Sequence, residues 1–157
     1  MSDPRARIEA FVTHEARLLD AQDWDAWDGL FTPDGIYWMP ATPGQTDPLG
    51  HVSLIHDTAL LRRVRIARFR DPAAFSLQPF PRGLRVVANV THDGDADGDL
   101  LASARMIAAE HRRGETVTYH AAVVWRLAPT DASFRIRLKR VDLIDADASR
   151  GDINLYL

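Results

Sequence analysis

Four long extended runs follow one another through the second half of the chain: LRVVANVTH (84–92), LLASARMIAAEHR (100–112), TVTYHAAVVWRL (116–127) and FRIRLKRVDLID (134–145). They are rich in β-branched and aromatic residues. The breaks between them, DGDADGD, RGE and APTDAS, are turn-like and too short for a crossover helix. Strands joined this way form an antiparallel meander. The first half carries helical patterns instead. Helices first and a long antiparallel sheet afterwards predict an α+β fold. Three helices on one face of a strongly curved sheet would enclose a cone. Its mouth is where a ligand would sit, and its outer sheet face is free to meet a partner.

The helices can be read from their starts. Asp3 is a suitable N-cap and Pro4 suits the first helical position. Ile8, Phe11, Val12, Glu15, Leu18 and Leu19 then recur at helical spacing and define one face. A second short helix is expected after Asp23, with Trp24, Trp27, Leu30 and Phe31 on one side. TPDG (32–35) reads as a turn, with Pro33 preset and Gly35 free to take a positive φ. IYWM follows as a short strand that stops at Pro40. Residues 41–50 hold two prolines and two glycines and read as a loop. HVSLIHD (51–57) reads as extended. Asp57 or Thr58 could cap a third helix whose inner face holds Leu60, Leu61, Val64 and Ala67 or Arg68. A second irregular segment, RDPAAFSLQPFPRG, precedes the meander. No repeat or linker interrupts the pattern, so residues 1–157 are expected to form one domain.

Composition narrows the function classes. A chain of 157 residues is long enough to bury a self-supporting core. The net charge of −3 offers no general basic field for nucleic acid. No apolar run approaches the roughly 20 residues of a membrane helix. MSDPRARIEA has no hydrophobic secretory core, so a cytoplasmic protein is expected. There is no cysteine. Disulfides, thiol nucleophiles and cysteine-held zinc or iron–sulfur groups are therefore excluded from this chain.

Several clusters invite chemistry. Asp93, Asp95, Asp97 and Gly98 match the opening of a calcium loop, but the twelfth position is Ala104 and a β run follows. A solvated hairpin tip is the expected reading. His51, His56 and Asp57 could form a two-histidine, one-carboxylate iron site, although their spacing has no special virtue. His111 and His120 lie on different strands and could face each other. Asp34, Tyr37, His56 and Asp57 are the best acid–base candidates, since a carboxylate beside a histidine in an apolar cone could move a proton. The plainer reading makes Asp34 a turn residue and Asp57 a helix cap. RRVRIARFR (62–70) holds five arginines, which read as a solvated face or as a charged protein interface.

Ordered blocks then carry a resemblance. HEARLLDAQDWDAWDGLFTPDGIYWMP (14–40) resembles the first block of the small (β) subunit of aromatic-ring-hydroxylating dioxygenases. VSLIHD (52–57), PRGLRVVANV (81–90) and NLYL (154–157) are similar to later blocks of that family, in the same order. His56 and Thr58 stand where the family usually has tyrosine and a second aspartate, and Gly83 to Arg85 depart from its usual pattern.

The resemblance implies a cone-shaped, nuclear-transport-factor-2-like (NTF2-like) fold with N-terminal helices on a largely antiparallel sheet. It implies a structural, non-catalytic subunit that assembles with a large α subunit, commonly as α3β3, with a homotrimer of β also possible. A Rieske [2Fe–2S] cluster and a mononuclear Fe(II) are expected in that α subunit and no cofactor in this chain. No nucleic acid or membrane is implied. A stand-alone lyase or isomerase, or a small-ligand-binding protein, is the alternative for the same cone, with Asp34, Tyr37, His56 and Asp57 as its pocket. On the leading reading DGIYWMP (34–40) is a turn and strand that buries aromatic area. INLYL (153–157) and the arginine-rich helix are expected to contribute subunit contacts.

Overall fold

The computed structural model describes residues 3–157. Helix α1 (Pro4–Asp20) starts as expected. The Asp3 carboxylate accepts from the Arg5 amide at 3.0 Å, and Pro4 opens the first turn. Ile8, Phe11, Val12, Glu15 and Leu19 are buried on one face. Helix α2 (Trp24–Asp28) is capped by Asp23, which accepts from the Ala26 amide at 3.3 Å. It buries Trp24 and Trp27.

Strand β1 (Phe31–Pro40) begins earlier than expected. Phe31 pairs with Ile136 and Ile36 with Leu138, so residues 32–35 bulge out of a continuing strand rather than turning before it. Gly35 is needed there for close approach, not for a positive φ. A Cβ on it would lie 2.5 Å from the Ile136 carbonyl oxygen. Strand β2 (Ser53–Asp57) and helix α3 (Ala59–Arg70) follow. Thr58, not Asp57, is the cap, accepting from the Leu61 amide at 3.4 Å.

The inner face of α3 differs from the expected one. Arg62, Ile66 and Phe69 are buried, whereas Leu60, Leu61 and Val64 are exposed. The reason is Arg62. Its guanidinium donates to Asp28 Oδ1 at 2.7 Å and to the Gly35 carbonyl at 2.5 Å, and lies 3.9 Å from the Phe31 ring centroid. Those bonds rotate the helix by about one position.

A 3-10 turn (Phe75–Leu77) leads into the meander of β3 (Arg82–Ala96), β4 (Asp99–Arg112), β5 (Glu115–Pro129) and β6 (Phe134–Leu143). The six strands are ordered β2-β1-β6-β5-β4-β3, and every pair is antiparallel except β1 with β6. Two hairpins close with two-residue turns that have positive φ at both positions. These are Asp97–Gly98 (52° and 84°) and Arg113–Gly114 (54° and 80°), the backbone of a type I′ turn. Much of DGDADGD is therefore strand. Register shifts in β1, β3 and the β5–β6 pair bend the sheet. Small residues (Ala102, Ala104, Ala108) recur on the buried side of β4, where Ala102 pairs with Trp125 of β5. After β6 the chain turns back, and Leu155, Tyr156 and Leu157 are buried inside the curl.

Gly35→Ala is expected to lower stability by about 2 kcal/mol or more, because backbone on β6 must shift to admit the methyl. A urea midpoint equal to that of the parent chain would show that β1 and β6 do not approach this closely.

Candidate functional site

The four acid–base candidates separate. Tyr37 and Asp57 are register partners on adjacent strands and both point into the cone, where they are buried. His56 pairs with Trp38 one residue along, and so lies on the opposite face of the sheet. Asp34 stands exposed on the β1 bulge, accepting from Thr32 Oγ1 at 2.7 Å and from Arg137 Nη1 at 3.3 Å. The Thr32 hydrogen bond, with help from Arg137, holds its carboxyl below the ordinary value of 3.8.

Tyr37 and Asp57 are both engaged by other parts of the chain. Arg65 grips Asp57 with two bonds, Nε to Oδ2 at 2.6 Å and Nη2 to Oδ1 at 3.0 Å. Tyr156 donates its hydroxyl to Asp57 Oδ2 at 2.6 Å. The Tyr37 hydroxyl accepts from the Leu157 amide at 3.0 Å. Burial, first of all, pushes both phenols far above the ordinary 10.0, and the Asp57 carboxylate adds to this at Tyr156.

A deeply enclosed ion pair is one the sequence pattern did not flag. Glu15 lies on the apolar face of α1, and Lys139 on β6; each is 1% exposed. Glu15 Oε1 accepts from Lys139 Nζ at 2.7 Å and from Trp27 Nε1 at 3.1 Å. Its Oε2 accepts from Trp125 Nε1 at 2.9 Å. Burial holds the Lys139 pKa below 10.5, against the pull of Glu15. A carboxylate in the middle of an apolar helical stripe was the available signal.

An open cleft of about 490 Å³ lies at the mouth of the cone. Leu54, Arg65, Arg68, Phe69 and Leu77 form one wall and residues 150–155 the other. None of Asp34, Tyr37, His56 and Asp57 lines it. His111 and His120 do not face each other: His111 pairs with Thr116 and His120 with Ile107. The hairpin aspartates are shared out among neighbours. Asp93 accepts from Thr91 at 2.6 Å, Asp95 meets His92 at 2.8 Å, and Asp99 accepts from Arg126 at 2.6 Å and Arg137 at 2.7 Å. Among the described residues no group of three or more histidine or carboxylate side chains is placed to hold a metal ion. No described helix is long and apolar enough to cross a membrane.

Residues 14–148 match the family model of the ring hydroxylating beta subunit. The chain belongs to that family. It is 27% identical over 157 residues to the small oxygenase component of the p-cumate 2,3-dioxygenase system of Pseudomonas putida, covering 98% of this chain and 87% of that one. It is 36% identical over 88 residues to the 2-halobenzoate 1,2-dioxygenase small subunit of Burkholderia cepacia, a match spanning 53% of each. The crystal structure of the benzoate 1,2-dioxygenase beta subunit from Burkholderia mallei superposes with a TM-score of 0.78 at 23% identity, covering 99% of both chains. An NTF2-like protein with a cystatin-like fold from Novosphingobium aromaticivorans gives 0.59 at 18% identity, covering 92% of this chain and 84% of that one. The α+β cone expected from the sequence is thus the fold of the family.

Two outcomes follow from the filled interior. Glu15→Ala leaves a buried ammonium and two indole N–H groups without an acceptor, and is expected to cost about 3–5 kcal/mol in chemical denaturation. Lys139→Met, which leaves the carboxylate two donors, is expected to cost less. The reverse order would mean that Glu15 is not the hub.

All three tyrosines, Tyr37, Tyr119 and Tyr156, have raised pKa values in the folded chain. Their contribution to stability is intact below the unfolded value of about 10 and is lost as pH rises above it. Tyrosinate absorbance is therefore expected to appear together with unfolding. A tyrosine that ionises near pH 10 in a chain whose circular dichroism is still native would contradict this.

Proposed function

We propose that this chain is the structural, non-catalytic β subunit of an aromatic-ring-hydroxylating dioxygenase, with residues 1–157 as one domain. It holds the large α subunits in place, in a hetero-oligomer of the α3β3 kind, in the cytoplasm. The observation that carries this reading is an inversion of the usual enzyme layout. The cone is filled by the chain's own Trp27, Tyr37, Trp125 and Tyr156, while apolar side chains remain outside. On the outer sheet face Leu84 and Val86 stand on β3 beside Ile107, the register partner of Val86 on β4. Leu60, Leu61 and Val64 stand exposed on α3. Contiguous exposed apolar surface marks an interaction site.

The cofactor argument points the same way. A Rieske cluster needs two cysteines and two histidines, and this sequence has no cysteine. The donor set does not fit the cluster, which is assigned to the α subunit. The mononuclear iron is placed with it there because no three described histidine or carboxylate side chains are grouped to hold a metal ion. Electron transfer and dioxygen chemistry belong there. This chain contributes a rigid support. The relatives named for 2-halobenzoate and p-cumate make a benzoic-acid-type ring the first substrate class to try.

The test is affinity isolation of the tagged chain from its own cells, with a visible spectrum of the eluate. A larger co-purifying chain with Rieske absorption is expected. A stand-alone lyase or isomerase using Asp34, Tyr37, His56 or Asp57 would instead give a colourless protein that turns over a small molecule by itself. The double variant Val86→Glu, Ile107→Glu is expected to change the stability of the isolated chain by less than about 1 kcal/mol, because both sites are on the surface. The same variant is expected to abolish co-purification. Retained assembly would remove the outer sheet face from the interface.

A further inference from the structure

Tyr156 is held as a ligand is held. Its ring lies in an aromatic box: centroids are 4.4 Å from Trp27, 4.8 Å from Tyr37 and 5.8 Å from Phe69. Two of these contacts are edge-on and one is tilted, the edge-on pairs within the range of favourable aromatic pairs and the tilted one just short of it. Its hydroxyl donates to Asp57, and Asp57 is gripped from the other side by both arms of the Arg65 fork. A carboxylate fixed by a guanidinium, at the end of an aromatic slot, is a recognition site for a phenol. The aromatic ring supplies buried area and the charge-assisted hydrogen bond reads the hydroxyl.

The segment that brings Tyr156 there is not part of the sheet. Residues 149–157 form no helix or strand. It is fastened by Arg85 to the Tyr156 carbonyl, by the Leu157 amide to the Tyr37 hydroxyl and by Asn154 to Glu110 at 2.9 Å. Each of these fastenings runs through a side chain rather than a backbone ladder. The segment also forms one wall of the open cleft, and the opposite wall includes Arg65 and Phe69, which belong to the phenol slot. Cleft and slot are therefore neighbours separated by the segment itself.

We propose that the cone contains a phenol-binding site, walled by Trp27, Tyr37 and Phe69 and read by the Asp57–Arg65 pair, which Tyr156 occupies as an intramolecular ligand. The ligand class is a small para-substituted phenol entering from the cleft. A tethered ring competes at an effective concentration in the millimolar range or above, so the site is closed to dilute phenols while the segment is in place. This inference does not depend on the subunit reading given above.

The experiment uses the full chain, in its assembled form, with Tyr156→Ala. Thermal unfolding is followed with 4-methylphenol or toluene, which differ by the one hydroxyl. 4-Methylphenol is expected to raise the midpoint of the variant and to bind on the order of tenfold tighter than toluene, the worth of a hydrogen bond to a charged acceptor. The parent chain is expected to show no shift at the same concentrations. Should the variant not fold unaided, its refolding yield with each compound makes the same comparison. Equal effects of the two compounds, no effect of either, or an equal response of the parent chain would each overturn the proposal.

Discussion

A single carboxylate ties the fold together. Glu15 sits on α1 and accepts hydrogen bonds from Trp27 of α2, Trp125 of β5 and Lys139 of β6. A buried charge is costly unless it is paired and fully hydrogen-bonded, and here both oxygens are used. The arrangement satisfies three donors that would otherwise be stranded in an apolar core. It also fixes the rotation of α1 about its axis, because any other face would leave the carboxylate without these partners. The gain over a hydrophobic substitute is in specificity of arrangement, since replacing a whole buried ion pair by apolar residues is often neutral or stabilising.

A second clamp sets the position of α3 and connects packing to function. Arg62 reaches the carbonyl that Gly35 presents on the β1 bulge, and Asp28 at the end of α2 balances its charge. The absence of a side chain at Gly35 is what lets the bulge lie against β6. With the guanidinium turned inward, Leu60, Leu61 and Val64 face outward. Surface apolar residues on α3 are thus a consequence of how the helix is anchored. They are the surface on which the proposed subunit contact would draw.

Much of this was visible in the residues. The cap at Asp3, the helix that begins after Asp23, the four meander strands and the inward Trp24 and Trp27 follow from local rules of capping and alternation. What was hidden depended on contacts between distant segments. TPDG has turn chemistry, but pairing with β6 on both sides keeps it within a strand. In β6, alternation from Phe134 and Ile136 would turn Leu138 inward. A register shift against β5 instead turns Lys139, Val141 and Leu143 inward. A bulge reverses every later side chain, and nothing in FRIRLKRVDL announces it. The α3 face departs from expectation for a related reason: five arginines suggest a solvated stripe, whereas one of them, Arg62, is among the most buried side chains. INLYL reads from the sequence as a contributor to subunit contacts, yet Leu155, Tyr156 and Leu157 fill the interior.

The same cone can serve catalysis or support, and what occupies its interior decides which is open to it. General acid–base work needs a titratable group that substrate can reach, with a pKa near the working pH. Tyr37 and Asp57 meet in register at the right depth, but Leu157 and Tyr156 hold them and burial takes the phenols out of the useful range. Lys139 is closed off by burial, by its bond to Glu15 and by the Trp125 ring. Tyr37, Asp57 and Lys139, the buried polar groups of the cone discussed above, are each spent on a partner within the chain. A cone filled this way gains rigidity from its interior, which agrees with the supporting role proposed above.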